Sequence, residues 1–168
     1  DPRVSIRVGD ARSVLELEAE PYDAIVSQPS HSWTAGASHL YTRDFFERVK
    51  GRLTDDGVFV QWVGLPFVDG PLLRSFVATL DESFAHVRLY RPTWAGALFV
   101  ASDHPLDLEA RFDAIRIRDP EAFDRAGLAN AATLWAALTL DEEGIASFGA
   151  GHPIITDAVS YTHLRAHE

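Results

Sequence analysis

Two continuous apolar runs with one amphipathic segment between them constrain this chain more than any other feature. Ala24-Ile25-Val26 lies inside Tyr22 to Ser27, and Val58 to Val63 follows later in the chain. Apolar runs of strand length read as strands covered on both faces, as parallel sheets require. Between them Tyr41, Phe45, Val49 and Leu53 recur every fourth residue with Phe46 alongside, the stripe of an amphipathic helix that ends before Asp55-Asp56-Gly57. Strand, helix, strand is the crossover unit from which α/β folds are built.

The flanking segments extend the pattern. Val4 to Val8 alternates and stops at Gly9-Asp10, which predicts a strand and a turn, and Ser13 to Glu20 reads as a short helix closed by Pro21. Asp69-Gly70-Pro71 opens another helix, with Leu72, Leu73, Phe76, Val77, Leu80 and Phe84 as its stripe. Val87 to Tyr90 and Ala97 to Ala101 then read as a closing pair of strands. The order β-α-β-α-β-α-β-β predicts a doubly wound, mostly parallel Rossmann-like sheet with an antiparallel end. From Leu106 the pattern turns helical: Asp119-Pro120 starts a helix, Gly127 stops it, and Thr139 with Glu142 reads as a capping box. Residues 1–105 are therefore expected to form the sheet, and residues 106–158 a helical C-terminal extension.

Composition removes whole classes of function. The 168 residues carry 15 Lys+Arg against 25 Asp+Glu, a net charge of −10, and the basic residues are scattered, so nucleic acid is not an expected partner. The absence of cysteine excludes disulfides, thiolate metal sites and thiol redox chemistry together, and no metal is expected. No apolar run has the length of a membrane span, and the N-terminus lacks the regions of a signal peptide. With no methionine and an opening Asp1-Pro2 directly ahead of a strand-like run, the chain is expected to start inside a longer protein. Residues 159–168, beginning Val159-Ser160-Tyr161, look like the translation of a sequencing adapter, so His163 and His167 are not read as a metal pair. Only Lys50 among the basic residues is lysine, the signature of a GC-rich, bacterial genome.

In open α/β sheets ligands bind beyond the carboxyl ends of the strands, which selects Gly9-Asp10-Ala11, Ser27 to Ser38, and Gln61 to Phe67. An aspartate there accepts from an adenine amino group while the next backbone N–H donates to the ring; the blander reading of Asp10 is a helix cap. Trp33, Trp62 and Trp94 fall in loops or at strand ends, where rings stack on adenine or shield a cation, with core packing the alternative for Trp62. Gly36-Ala37-Ser38-His39 lacks the second glycine of a nucleophile elbow, which argues against a hydrolase.

Asp1-Pro2-Arg3-Val4 through Gly9-Asp10-Ala11-Arg12, then Tyr22-Asp23-Ala24-Ile25, Leu40-Tyr41-Thr42-Arg43-Asp44-Phe45-Phe46 and Leu53 to Gln61 resemble the polyamine aminopropyltransferase (spermidine synthase) family. Gly64-Leu65-Pro66-Phe67, Arg91-Pro92-Thr93-Trp94 and Ile155-Thr156-Asp157 extend the resemblance. Ser27 to Gly36 is most similar to a divergent branch often fused to a transporter-like membrane domain. The resemblance implies a transferase of polyamine biosynthesis that moves an aminopropyl group from decarboxylated S-adenosylmethionine to a small amine acceptor. S-adenosylmethionine is the alternative donor. Asp10, Ala11 and Ser27 would hold the donor; Trp33, Trp62, Trp94 and Asp157 would line the substrate site. A cytoplasmic location follows, with a membrane domain in the same parent chain and a homodimer both allowed. The Gly-rich turn and ribose-binding acid of the family would lie upstream of Asp1, so this stretch is expected to hold half a cofactor site and to be inactive alone.

The departure lies in the catalytic loop. The family places aspartates at the positions of Gln28 and His31, where a carboxylate orients and deprotonates the attacking amine. Gln28 can orient an amine through its carbonyl, and an imidazole, with an ordinary pKa near 6.5, serves as a base, which makes Gln28 and His31 the catalytic candidates. Loss of both acids also leaves open an S-adenosylmethionine-dependent methyltransferase and a catalytically silent nucleotide-binding domain of a transporter fusion.

Overall fold

The computed structural model describes residues 1–29 and 36–158; the adapter-like tail, His31 and Trp33 lie outside them. Seven α-helices and five strands are described: α1 Ala11–Leu17, β1 Tyr22–Ser27, α2 Arg43–Lys50, β2 Leu53–Gly64, α3 Gly70–Ser83, β3 His86–Tyr90, β4 Gly96–Ser102, α4 Leu108–Arg116, α5 Pro120–Arg125, α6 Ala131–Ala137, β5 Leu138–Leu140 and α7 Glu142–Gly149. The strands form one mixed sheet of order β1-β2-β4-β3-β5. The crossover β1-α2-β2 is the parallel pair, with Val26 against Val60, and the other pairings are antiparallel. The α/β class and the antiparallel end therefore hold, in a sheet that among the described residues is mixed rather than mostly parallel.

Local chemistry sets the element ends. Thr42 and Asp69 accept from Phe45 N–H and Leu72 N–H and start α2 and α3, and Asp119 does the same for α5. Strand alternation divides β2 between two layers. Phe59 and Val63 face a core closed by Phe45, Phe46 and Val49 of α2, Phe76, Val77 and Leu80 of α3, and Ile145 of α7. Val58 and Val60 face a second cluster with Val100, Leu106 and Leu134. A buried ionic network ties this second layer to the sheet: Glu109 accepts from Tyr90 Oη at 2.6 Å and Arg88 Nη1 at 2.9 Å, and Arg88 Nε reaches Glu142 at 3.0 Å. Burial, reinforced by Glu109, raises the Tyr90 phenol well above its ordinary pKa, so it stays a neutral donor.

Four expectations are corrected. Residues 4–8 form no strand; Val4, Ile6 and Val8 are exposed, because alternation alone supplies no neighbour to take the amides. Among the described residues β1 pairs with β2 alone, and Ala24 and Val26 stand exposed rather than covered on both faces. Leu53 opens β2 instead of ending α2, since the helix stops at its Gly51 cap. The α7 cap is Asp141, accepting from Gly144 N–H at 2.9 Å; Thr139 lies in β5, a strand absent from the sequence reading.

Helices α3 and α7 approach so closely at Gly149 that an added Cβ would stand 2.9 Å from Ala78 N and 3.0 Å from Ala78 Cα. Backbone cannot move aside as a side chain can. Gly149→Ala is therefore expected to lose about 1–3 kcal/mol by overpacking, measured by urea denaturation, and trimming Ala78 to Gly is not expected to restore it. Unchanged stability in Gly149→Ala would contradict this packing.

Candidate functional site

The parallel pair points its carboxyl ends to one edge of the sheet. There a cleft of about 400 Å³ opens between the turn ahead of α1 and the end of β1, bounded by Gly9, Ala11, Ser27, Gln28, Leu40 and Phe45. The structure thus brings Ala11, Ser27 and Gln28 together, three of the residues selected from sequence.

Asp10 is the N-cap of α1. Its Oδ1 accepts from Ser13 N–H at 2.9 Å and Ser13 Oγ at 3.1 Å, and these bonds hold the carboxyl below its ordinary pKa. Both Ser13 bonds use Oδ1 and the Arg12 backbone N–H also bonds the carboxylate, but a carboxylate has about four acceptor sites, so capping does not exhaust it. The capping and ligand-binding readings of Asp10 are compatible.

Trp62 and Trp94 stand farther along the same edge. Trp62 is half-buried on the sheet face shared with Val58 and Val60, beside Gly96, where a Cβ would come within 3.0 Å of its Nε1. Trp94 is 80% exposed on the hairpin joining β3 and β4, and Leu65 N–H donates to Ala95 O at 3.0 Å, fixing that hairpin to the end of β2. Trp62 therefore looks to the sheet face opposite Val63, away from α2 and α3.

Asp157 is held by an Arg12 fork, with Nη1 to Oδ1 at 3.1 Å and Nη2 to Oδ2 at 2.6 Å, and by Thr42 Oγ1 at 2.8 Å. Burial alone would raise its pKa, but the bonds from Arg12 and Thr42 hold the carboxyl below its ordinary value. His39 Nδ1 stands 3.8 Å away.

Gln61 carries a signal that sequence reading left unassigned. It is fully buried, its Nε2 donates to Trp62 O at 3.2 Å, and its Oε1 has no hydrogen-bond partner among the described residues. An orphaned buried carbonyl costs stability unless something else uses it. The signal that could have found it is its place as the one Gln in the otherwise apolar run Val58 to Val63. One pleat further along the same face, Val63 joins Ser38, Tyr41, Leu72, Phe76 and Ile155 around an apolar slot of about 10 Å³. Burial pushes the Tyr41 phenol up to about 12, so it is a neutral group there.

Residues 1–97 match the family model described as a spermine/spermidine synthase domain. The polyamine aminopropyltransferase of Nitrosomonas europaea is 31% identical over 117 residues, which are 66% of this chain and 36% of that relative. The chain spans about a third of the length of the curated relatives it matches. A probable spermidine synthase from Corynebacterium glutamicum superposes with a TM-score of 0.62 at 26% identity, covering 95% of this chain and 56% of that one. A spermidine synthase in complex with the transition-state analogue AdoDATO superposes with a TM-score of 0.64 at 20% identity, over 89% of this chain and 50% of the other, a likeness of fold.

Proposed function

This chain belongs to the spermine/spermidine synthase family, and on that premise we propose that it is part of a transferase that moves an aminopropyl group from decarboxylated S-adenosylmethionine to a small amine acceptor. The observation that carries the reading is the cleft at the end of β1, where Gly9 and Ala11, on either side of Asp10, line one wall and Ser27 and Gln28 the other. In the proposed reaction the amine nitrogen bonds to the methylene carbon beside the sulfonium, the carbon–sulfur bond breaks with its electrons passing to sulfur, and methylthioadenosine leaves. The residues supply position and a proton acceptor. Asp10 Oδ2 accepts from the adenine amino group and Ala11 N–H donates to the ring. Gln28 orients the amine, and His31 takes its proton. Gln61 Oε1 is a further acceptor for an N–H at the end of β2, and Trp94 offers an exposed ring to a cation. Trp33 and Trp62 complete the proposed aromatic set. No helix among the described residues is long and apolar enough to cross a membrane, and the compartment we propose is the cytoplasm.

The test, made on the full-length protein of which this chain is part, compares turnover of decarboxylated S-adenosylmethionine with putrescine against turnover of S-adenosylmethionine. Methylthioadenosine released from the first donor supports the proposal. Turnover of S-adenosylmethionine alone moves the assignment to methyl transfer, and tight binding of both donors without turnover leaves a silent binding domain. Within the same reading, Asp10→Ala is expected to weaken methylthioadenosine binding roughly 10- to 150-fold, the scale of a lost hydrogen bond to a charged group. Calorimetry showing unchanged affinity in a folded variant would return Asp10 to capping alone.

A further inference from the structure

Helix α1 has seven residues and one buried side chain, Leu15, and a helix this short is not stable on its own. Its position must come from tertiary anchors, and it has one at each end. At the C-terminal end Arg52 donates through Nε to Leu15 O at 2.7 Å and through Nη2 to Glu16 O at 2.9 Å. At the N-terminal end the anchor is the Arg12 fork on Asp157, with the Arg12 side chain 16% exposed.

Asp157 belongs to a segment that is itself tied down along its length. Ile155 N–H donates to Thr79 Oγ1 of α3 at 2.9 Å, and Ile155 O accepts from Arg43 N–H of α2 at 2.8 Å. Asp157 N–H donates to Asp44 Oδ2 at 2.9 Å, and its carboxylate takes the Thr42 hydroxyl. The strap of residues 155–157 thus links the starts of α2 and α1 while bonding to α3. Arg12 directly follows Asp10-Ala11, so whatever fixes Arg12 fixes that turn. The cap bonds of Asp10 to Ser13 are internal to α1 and move with it.

We propose that Asp157 is a positioning residue that acts through Arg12 to hold the Asp10-Ala11 turn in the orientation that receives the adenosyl group, so that the C-terminal strap sets the affinity for the nucleoside. This rests on the adenosyl reading above. It gives Asp157 a part in recognition through Arg12 rather than by contact with the ligand. A bidentate guanidinium–carboxylate pair suits the task, since two parallel bonds fix direction as well as distance.

The experiment uses the full-length protein of which this chain is part and compares wild type with Asp157→Asn, Arg12→Met and the double variant. Amide hydrogen exchange at Ser13 and Val14, whose N–H groups are bonded to Asp10, is expected to speed up about tenfold or more in each variant, with exchange in β2 and β4 unchanged, because the anchor at the other end of α1 and the sheet are untouched. Methylthioadenosine affinity, followed by ligand-observed NMR, is expected to fall by about the same factor, and the double variant is expected to lose no more than the worse single one, as contacting partners do. Rescue by the charge swap Arg12→Asp with Asp157→Arg would strengthen the assignment. Unchanged exchange at Ser13 and Val14 overturns it, and so does faster exchange with wild-type affinity, or losses that add in the double variant. Full-length wild type with no methylthioadenosine contact overturns the adenosyl reading and this inference with it; the other failures leave wild-type binding in place, so the two are distinguishable.

Discussion

His31→Ala is expected to lower putrescine-dependent release of methylthioadenosine by the roughly 10²- to 10⁴-fold that losing a general base costs. The two family positions that would carry carboxylates are Gln28 and His31, and of these only the imidazole takes a proton near neutral pH. The sign with pH follows from that role. A base works deprotonated, so the wild-type rate is expected to rise as pH climbs through the imidazole range, and the variant to lose that rise. Gln28→Asp with His31→Asp is expected to restore activity at lower pH, because a carboxylate holds a cationic amine and remains ionised there. Steady-state rates from pH 5 to 9 decide the matter: a rate that ignores His31→Ala at every pH removes His31 from the chemistry.

Phe46→Ala is expected to cost about 3–5 kcal/mol of stability, the range for deleting a fully buried phenyl ring from a core. Phe46 is completely buried and its ring centroid lies 5.7 Å from that of Phe59, 6.0 Å from those of Phe45 and Phe76, and 6.5 Å from that of Phe84. These rings come from α2, β2, α3 and the residue after α3, so the cavity would open where three elements meet and none can close it alone. Urea titration followed by circular dichroism measures the change, and a loss under about 1 kcal/mol would mean that the aromatic cluster collapses freely around the gap.

Sequence patterning reached the helices and strands whose burial is periodic. The stripe of α3 from Leu72 to Phe84 and the run Val58 to Val63 are packed as their spacing requires. It failed where the decisive partner is distant. Val4, Ile6 and Val8 alternate well, yet alternation specifies a face and not a neighbour. Leu138–Leu140 is too short to show a period and is a strand because β3 pairs with it. In the candidate site, Ser27 and Gln28 were selected because they follow a strand end, which β1 supplies, whereas the strand expected ahead of Asp10-Ala11 is not formed. The Arg12–Asp157 pair was not legible: its partners are separated by nearly the whole described chain. Gln61 was visible as a lone polar residue in an apolar strand, but only three-dimensional structure reveals that half of its amide is unanswered.

The hairpin between β3 and β4 also bears on the order in which the sheet assembles. Its connection is residues 91–95, whereas β1 reaches β2 only across residues 28–52, about five times as many. Closing the longer loop costs about 1.4 kcal/mol more in chain entropy by the logarithmic length dependence. The antiparallel ribbon of β3 and β4 therefore has the kinetic head start, and the crossover carrying the Ser27-Gln28 end of the cleft joins a platform already in place. Core mutations in β3 and β4 are expected to slow refolding, whereas mutations in β1 hasten unfolding and leave the refolding rate nearly untouched.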